Sequence, residues 1–221
     1  QGPEHSSARI ERFLSVAARN NVEILIPTTP SNFYHAIRQQ VFRNFRTPLI
    51  VFTPKSLLRH PLSTSSLDDL TAGGLQLIIE EIDAQDVAAI RRVVLCSGKV
   101  YFDLLKTRRE RNIDDIAILR IEQLYPFPRK TLKRILEQYS NAGELVWCQE
   151  EPKNQGAWYQ IRHHLQNCIS ERHALKYVGR PRSASPAVGY HSEHAKEQQK
   201  LVEQAILPAG QRTTTEDEDD D

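Results

Sequence analysis

The sequence predicts an α/β protein: the end of one α/β unit, then a complete smaller unit with a mainly parallel sheet. Three observations predict this. Short apolar runs alternate with longer amphipathic stretches along most of the chain, the pattern of β/α units. The runs themselves, such as VVLC, IAIL and LVWC, lack polar alternation, which suits strands covered on both faces. The regular pattern lapses once, from about 56 to 90, where Ser, Thr, Gly and Asp accumulate and mark a boundary.

The first unit opens with a helix near 8–19, because Ile10, Phe13, Leu14 and Ala17 recur at helical spacing; Ser6 or Ser7 can cap it and Asn20-Asn21 can end it. VEILIP (22–27) reads as a strand. A helix follows Pro30, with Ser31 as its cap and Phe33, Ile37 and Val41 as its buried stripe, and PLIVFTP (48–54) is a second strand. Two strands are too few for an independent open sheet. In the second unit RRVVLCSG (91–98), DIAILRIEQL (115–124), ELVWCQ (144–149) and ALKYVG (174–179) read as strands. Between and after them, helices are expected in YFDLLKTRRERN, RKTLKRILEQYS, AWYQIRHHLQNCI and HSEHAKEQQKLVEQAI.

Composition narrows the function classes. With 29 Lys and Arg against 28 Asp and Glu the net charge is +1, yet six acids fill the last six positions, EDEDDD, and the remainder carries about +7. That permits an anionic ligand and falls short of a nucleic-acid footprint. No apolar run approaches the roughly 20 residues of a membrane-spanning helix, and no basic-then-apolar leader opens the chain, so neither a membrane nor a nucleic acid is an expected partner. Cys96, Cys148 and Cys168 show no CxxC spacing, and two lie in apolar runs, which reads as buried, inert thiols rather than a disulfide framework or zinc ribbon. The chain holds no Met and begins with QGPEH, which suggests a piece of a longer protein.

Sites in open α/β sheets gather at the carboxyl ends of strands and at helix starts. His5 precedes a helix start, where the dipole disfavours imidazolium and a neutral ring can donate a hydrogen bond; on the residues alone, capping is the default role. Ser97-Gly98-Lys99 could offer backbone N–H groups to a phosphate, although a tight turn explains it equally well. Glu150 and Glu151 could form an acid/base pair, but adjacent carboxylates usually diverge. His191 and His194 lie one helical turn apart and His163-His164 sit elsewhere, without a third ligand, so no metal site is expected. GxGxxG, GxSxG and GxxxxGK[ST] are all absent.

Longer stretches carry a resemblance. GPEHSSARIERFL (2–14), TPLIVFTPKSLLRHP (47–61), CSGKVYFDL (96–104), IAILRIEQLYPFP (116–128), VWCQEEPKNQGAWY (146–159) and YVGRPRSASPAVGY (177–190) closely resemble the carboxyl-terminal part of the decarboxylating, thiamine diphosphate-dependent component of 2-oxoglutarate dehydrogenase complexes. The match runs from residue 1 to about 207, in wording closer to the bacterial form than to the animal one. It implies the end of a pyrimidine-binding domain at 1–55 and a linker at 56–90. A three-layer transketolase C-terminal-like domain at 91–207 and a disordered acidic tail at 208–221 complete the expected organisation. The implied reaction is decarboxylation of 2-oxoglutarate on thiamine diphosphate with Mg²⁺, followed by succinyl transfer to a lipoyl group.

By the same resemblance His5 matches a histidine that faces the cofactor, which reverses the default reading. Gln123 and Lys130, flanking YPFPR, are the positions to test for an acyl-CoA or nucleotide effector, although Gln39 stands where an arginine is expected. The GDG motif that holds the diphosphate and Mg²⁺ does not occur, and nothing matches the context of the activating glutamate, so upstream regions are expected to bind most of the cofactor and the isolated chain to be silent. Implied partners are a second copy, as a homodimer, a lipoyl-bearing succinyltransferase and dihydrolipoyl dehydrogenase, in the bacterial cytoplasm or, in a eukaryote, the mitochondrial matrix. The alternative is a non-catalytic module for dimerisation or complex docking.

Overall fold

The computed structural model describes residues 8–170 and 173–207. The elements in order are helix α1 (Ile10–Ser15), β1 (Glu23–Leu25), α2 (Pro30–Phe42), β2 (Leu49–Val51), α3 (Leu67–Thr71), β3 (Ile78–Ile79), β4 (Arg92–Cys96), α4 (Val100–Glu110), β5 (Ile116–Ile121), β6 (Gln123–Tyr125), α5 (Arg129–Gln138), β7 (Glu144–Pro152), α6 (Trp158–Gln166), β8 (Ala174–Arg180) and α7 (His191–Ile206). Single 3₁₀ turns form at Lys55–Arg59 and Val87–Ala89. No helix among the described residues is long and apolar enough to cross a membrane.

Strands β3-β5-β4-β7-β8 form a five-stranded sheet, parallel except for β3, which pairs antiparallel with β5. Its apolar strands have a reason on each face. Val93, Leu95, Ala117, Leu119, Leu145 and Trp147 pack with residues of α1, α5 and α6. The alternate residues Val94, Cys96, Ile116, Ile118, Val146 and Cys148 pack with α4 and α7. This is the expected three-layer α/β arrangement, and both strand faces are removed from water.

The structure departs from the sequence reading at three places. DIAILRIEQL is not one strand: β5 ends at Ile121, and after Glu122 the chain enters β6, which pairs antiparallel with β1 in a second sheet of order β2-β1-β6. Glu122 is the hinge, accepting at its carbonyl from the Ile26 N–H at 2.7 Å and donating its own N–H to the Leu77 carbonyl at 3.0 Å. The two strands foreseen in the first unit therefore gain a third from the second.

Helix α2 is turned the other way from the expectation. Phe33, Ile37 and Val41 are 41%, 45% and 62% exposed, and the inward residues are Asn32, His35 and Ala36. Polar contacts decide it: Asn32 Nδ2 donates to Glu122 and to the Gln76 carbonyl, each at 2.9 Å, and His35 Nε2 lies 2.7 Å from the Asp69 carbonyl. Thr29, not Ser31, caps this helix. Helix α1 is shorter than 8–19: it runs from Ile10 to Ser15 with Val16 at its end, Arg19 and Asn20 turn the chain beyond it with positive φ, and its foreseen caps Ser6 and Ser7 lie outside the described residues. It keeps Ile10 and Leu14 in the core and packs on α6.

The segment before β4 is pinned by charge. Arg108, only 1% exposed, donates to Glu81, to Asp83 at 2.7 Å and to the Ile116 carbonyl at 3.0 Å, while Glu81 accepts from the Ile118 N–H at 2.8 Å. Arg109 adds two bonds to Asp83, at 2.9 and 2.6 Å. The Arg109 hydrogen bond, helped by Arg108, holds the Asp83 carboxyl down from 3.8 to about 2. A depressed folded-state pKa gives stability that is present above the unfolded value and lost as pH falls through the folded one. Asp83→Asn is therefore expected to lower the denaturant midpoint at neutral pH and to remove part of the parent's loss between about pH 4 and pH 2. Midpoints measured across that range check it, and parallel acid profiles for the two proteins would contradict it.

Candidate functional site

The carboxyl ends of β4, β5 and β7 lie on one edge of the five-stranded sheet, where the sequence reading placed its candidates. At the end of β5, the buried Glu122 carboxylate accepts from the Thr28 N–H at 2.7 Å, the Thr28 hydroxyl at 2.6 Å and Asn32 Nδ2 at 2.9 Å. Arg120 donates to the same Thr28 hydroxyl at 3.0 Å and lies over the Tyr101 ring, 4.0 Å from its centroid. Burial raises the Glu122 pKa, against the opposing pull of Thr28, Arg120 and Asn32. This polar knot joins the β1–α2 loop to the five-stranded sheet.

At the end of β4, Ser97-Gly98-Lys99 forms a tight turn. Gly98 has φ +75°, and a Cβ there would meet Ile26 Cγ2 at 3.3 Å. The Lys99 ammonium is committed to Glu150, which also accepts from Gln198 Nε2 at 2.8 Å. Gln198 Nε2 reaches Asp103 at 2.8 Å as well. The adjacent carboxylates thus differ: Glu150 is neutralised by Lys99, whereas Glu151, partly buried beside the Glu150 charge, is pushed up to about 7 by that burial and repulsion.

Beyond β7 the chain forms a clamp. Buried Gln149 accepts at Oε1 from Trp147 Nε1 at 2.9 Å and the Trp158 N–H at 3.0 Å, and donates from Nε2 to the Gln155 carbonyl at 2.8 Å. Gly156 closes the loop at φ +70° and gives its N–H to Glu11 at 2.9 Å. Gln155 accepts from Arg9 and donates to the Ser183 and Ser185 carbonyls at 2.7 and 3.2 Å. Asn154 and Ser183 exchange two hydrogen bonds of 2.9 Å. The start of α1 and the β8–α7 loop are both fastened to residues 154–156.

The remaining candidates are placed as follows. His5 lies outside the described residues. Gln123 is buried, with Nε2 donating to the Pro126 carbonyl at 2.7 Å, and Lys130 is exposed in the first turn of α5. Gln39 lines a shallow pocket of about 280 Å³ with His35, Arg38, Phe42, Gly74 and Leu75, and neither Gln123 nor Lys130 lines it. His164 stacks on Phe127, with centroids 5.1 Å apart, and lies tilted against His163 at 3.8 Å; burial, then the His163 charge, lowers its pKa to about 4. His194 sits 3.1 Å from Arg180, its pKa lowered by burial and then by that guanidinium. Among the described residues no three His, Cys, Asp or Glu are grouped as metal ligands. The three thiols are free and buried, and burial raises the pKa of each.

Sequence reasoning missed Glu122, Arg120, Gln149 and Gln155. A signal existed for the first two, since two charged residues interrupt an otherwise apolar strand.

Comparison with known proteins now bears on the whole assembly. The family model described as 2-oxoglutarate dehydrogenase C-terminal matches residues 64–206, and that of the transketolase pyrimidine binding domain matches residues 1–61. The chain belongs to the 2-oxoglutarate dehydrogenase C-terminal family. Within that family it is 56% identical over 206 residues to the 2-oxoglutarate dehydrogenase E1 component of Haemophilus influenzae and 54% identical over 208 residues to that of Coxiella burnetii. It is 50% identical over 206 residues to a Buchnera aphidicola protein named oxoglutarate dehydrogenase. Each match covers 93% of this chain and 22% of the relative, so the chain spans about a fifth of the length of the curated relatives it matches. The transketolase-like α/β fold and the family named by resemblance are both borne out.

The clamp of this family member makes a local demand. A Cβ on Gly156 would stand 2.8 Å from Gln149 Nε2 and 2.9 Å from Glu151 Cβ. Gly156→Ala is expected to destabilise by about 2 kcal/mol from the left-handed backbone alone, whereas Gly143→Ala, whose Cβ meets nothing within 4 Å, is expected to stay within about 0.5 kcal/mol. Denaturant unfolding of the two variants checks this, and equal midpoints would contradict it.

Proposed function

We propose that this chain is the carboxyl-terminal part of the decarboxylating component of a bacterial, cytoplasmic 2-oxoglutarate dehydrogenase complex. The observation that carries the reading is continuous likeness, at about half identity, through both the pyrimidine-binding segment and the C-terminal domain of E1 relatives. The protein acts on 2-oxoglutarate with thiamine diphosphate and passes succinyl to the lipoyl group of a succinyltransferase. Dihydrolipoyl dehydrogenase completes the complex, and the component works as a homodimer.

The division of labour within that protein follows from the donors available. Among the described residues none are grouped to hold Mg²⁺, and Lys99, at the strand-to-helix turn that could face a diphosphate, is already paired with Glu150. These residues do not fit the diphosphate end of the cofactor, which upstream regions of the protein supply. What this part contributes is a rigid wall and a tethered segment. The clamp holds Arg9 and Glu11, and His5, four residues before Arg9, is the group we assign to face the cofactor. Gln123 and Lys130 remain the positions proposed for an effector.

A second reading has its own observation. Phe33, Tyr34, Ile37, Val41 and Phe42 leave an apolar face of α2 exposed, as a docking or dimerisation module would.

Assay tests the division of labour and the role of His5. The purified 221-residue chain with thiamine diphosphate, Mg²⁺ and 2-oxoglutarate is expected to release no CO₂ above buffer; measurable decarboxylation would refute the division of labour. In the intact enzyme, His5→Ala is expected to lower turnover by about 100-fold with an unchanged melting temperature. Unaltered kinetics would refute the assignment of His5.

A further inference from the structure

Strand β3 forms one edge of the five-stranded sheet and is only two residues long. Its neighbour β5 runs for six, so part of the β5 edge has no strand beside it. Ile78 stands opposite Ile121 and Ile79 opposite Arg120; counting on along both segments sets Glu81 opposite Ile118 and Asp83 opposite Ile116. In an antiparallel pair every second residue turns both its N–H and its C=O toward the partner. The Glu122 N–H, given to the Leu77 carbonyl, fixes which ones: Ile118 and Ile116 face the place where a longer β3 would run.

Side chains meet those groups instead. Glu81 Oε2 accepts from the Ile118 N–H at 2.8 Å, and Arg108 Nη1 donates to the Ile116 carbonyl at 3.0 Å. An acceptor faces the N–H and a donor faces the C=O, as a neighbouring strand would arrange them. The same carboxylate also ends β3. Glu81 Oε1 accepts from the Ile82 and Asp83 N–H groups, each at 2.9 Å, which curls the chain away from extended pairing. Buried Arg108 fills the space between, with Nη2 donating to Glu81 at 2.8 Å and to Asp83 at 2.7 Å.

We infer that Glu81 and Arg108, with Asp83, form a guard that stops the sheet from growing onto a second copy of the chain. They end β3 after two residues and satisfy the β5 edge without offering another strand to solvent. Short edge strands and inward charges are the means by which sheets avoid pairing edge to edge. The residues are otherwise suited to a longer strand, since Ile78, Ile79 and Ile82 favour extended backbone. A β3 extended to Asp83 would turn the N–H groups of Ile78, Glu80 and Ile82 outward. That edge matches the same strand of another copy, antiparallel across a two-fold axis. The inference does not depend on the proposed activity.

The test uses the intact protein that carries this chain. Glu81→Val/Asp83→Thr/Arg108→Leu removes the whole charge set, because replacing a buried ion cluster by apolar groups keeps stability near the parent's, whereas removing one member strands its partner. This triple variant is expected to associate, its weight-average mass in light scattering rising with concentration to about twice the parent's or more. Adding Ile82→Pro, which strips an outward N–H and leaves the β5 side alone, is expected to restore the parent's mass. In the exchange Glu81→Arg/Arg108→Glu an ion pair survives, but donor and acceptor face the wrong backbone groups. The Ile118 amide is then expected to exchange with deuterium about tenfold faster than in the parent.

A triple variant that keeps the parent's mass at every concentration would overturn the inference. So would association that Ile82→Pro leaves unchanged, because another surface would then be responsible. Parent-like exchange at Ile118 in the charge-swapped protein would reduce the cluster to an ordinary ion pair. Each half of the test stands alone should the other variant fail to fold.

Discussion

A buried carboxylate joins the two sheets. Glu122 has left water, and three donors from Thr28 and Asn32 surround it, so the sheets cannot separate without leaving its carboxyl unpaired. The Thr28 hydroxyl also receives Arg120, so one threonine links the acid of this knot to its base. The inward turn of Asn32, and with it the orientation of α2, follows from this demand. So does the break in the β5–β6 run, because the chain must leave one sheet at Glu122 to place its carboxylate.

The clamp after β7 obeys the same logic with neutral groups. Gln149 and Gln155 are amides that satisfy backbone carbonyls in a loop too irregular to pair its own, and Gly156 supplies the backbone conformation the closure needs. Both devices spend buried polar groups on fixing relative position. Apolar packing is left to the strands and helices, where Leu95, Leu119 and Trp147 fill one face and Cys96, Ile118 and Cys148 the other.

The layers of the second unit were legible in the sequence because runs such as VVLC and LVWC have one explanation, burial on both faces. Their order in the sheet was not, since parallel register is set by helices that cross between strands rather than by the strand residues. The orientation of α2 misled because Phe33, Ile37 and Val41 have ideal spacing for a buried stripe, and spacing is silent about which face finds polar partners. Glu122 outweighed it through Asn32. Among the site residues, the divergence of Glu150 and Glu151 followed from a general rule about neighbours on a strand. Gln155 could not be foreseen, since its partners Arg9 and Ser183 lie 146 and 28 residues away.

Strand β6 also bears on how such a protein can be taken apart. The family models divide the chain between residues 61 and 64, and in sequence that looks like the natural place to cut. In space it is not, because β1 finds one neighbour at β2 and the other at β6, some sixty residues past the cut. A polypeptide ended there would keep the match to its own family and lose a wall of its sheet, baring the backbone of β1 and the donors that Glu122 had gathered. The two units are neighbours in the gene and share a strand in the fold, so they are inherited, and broken, together.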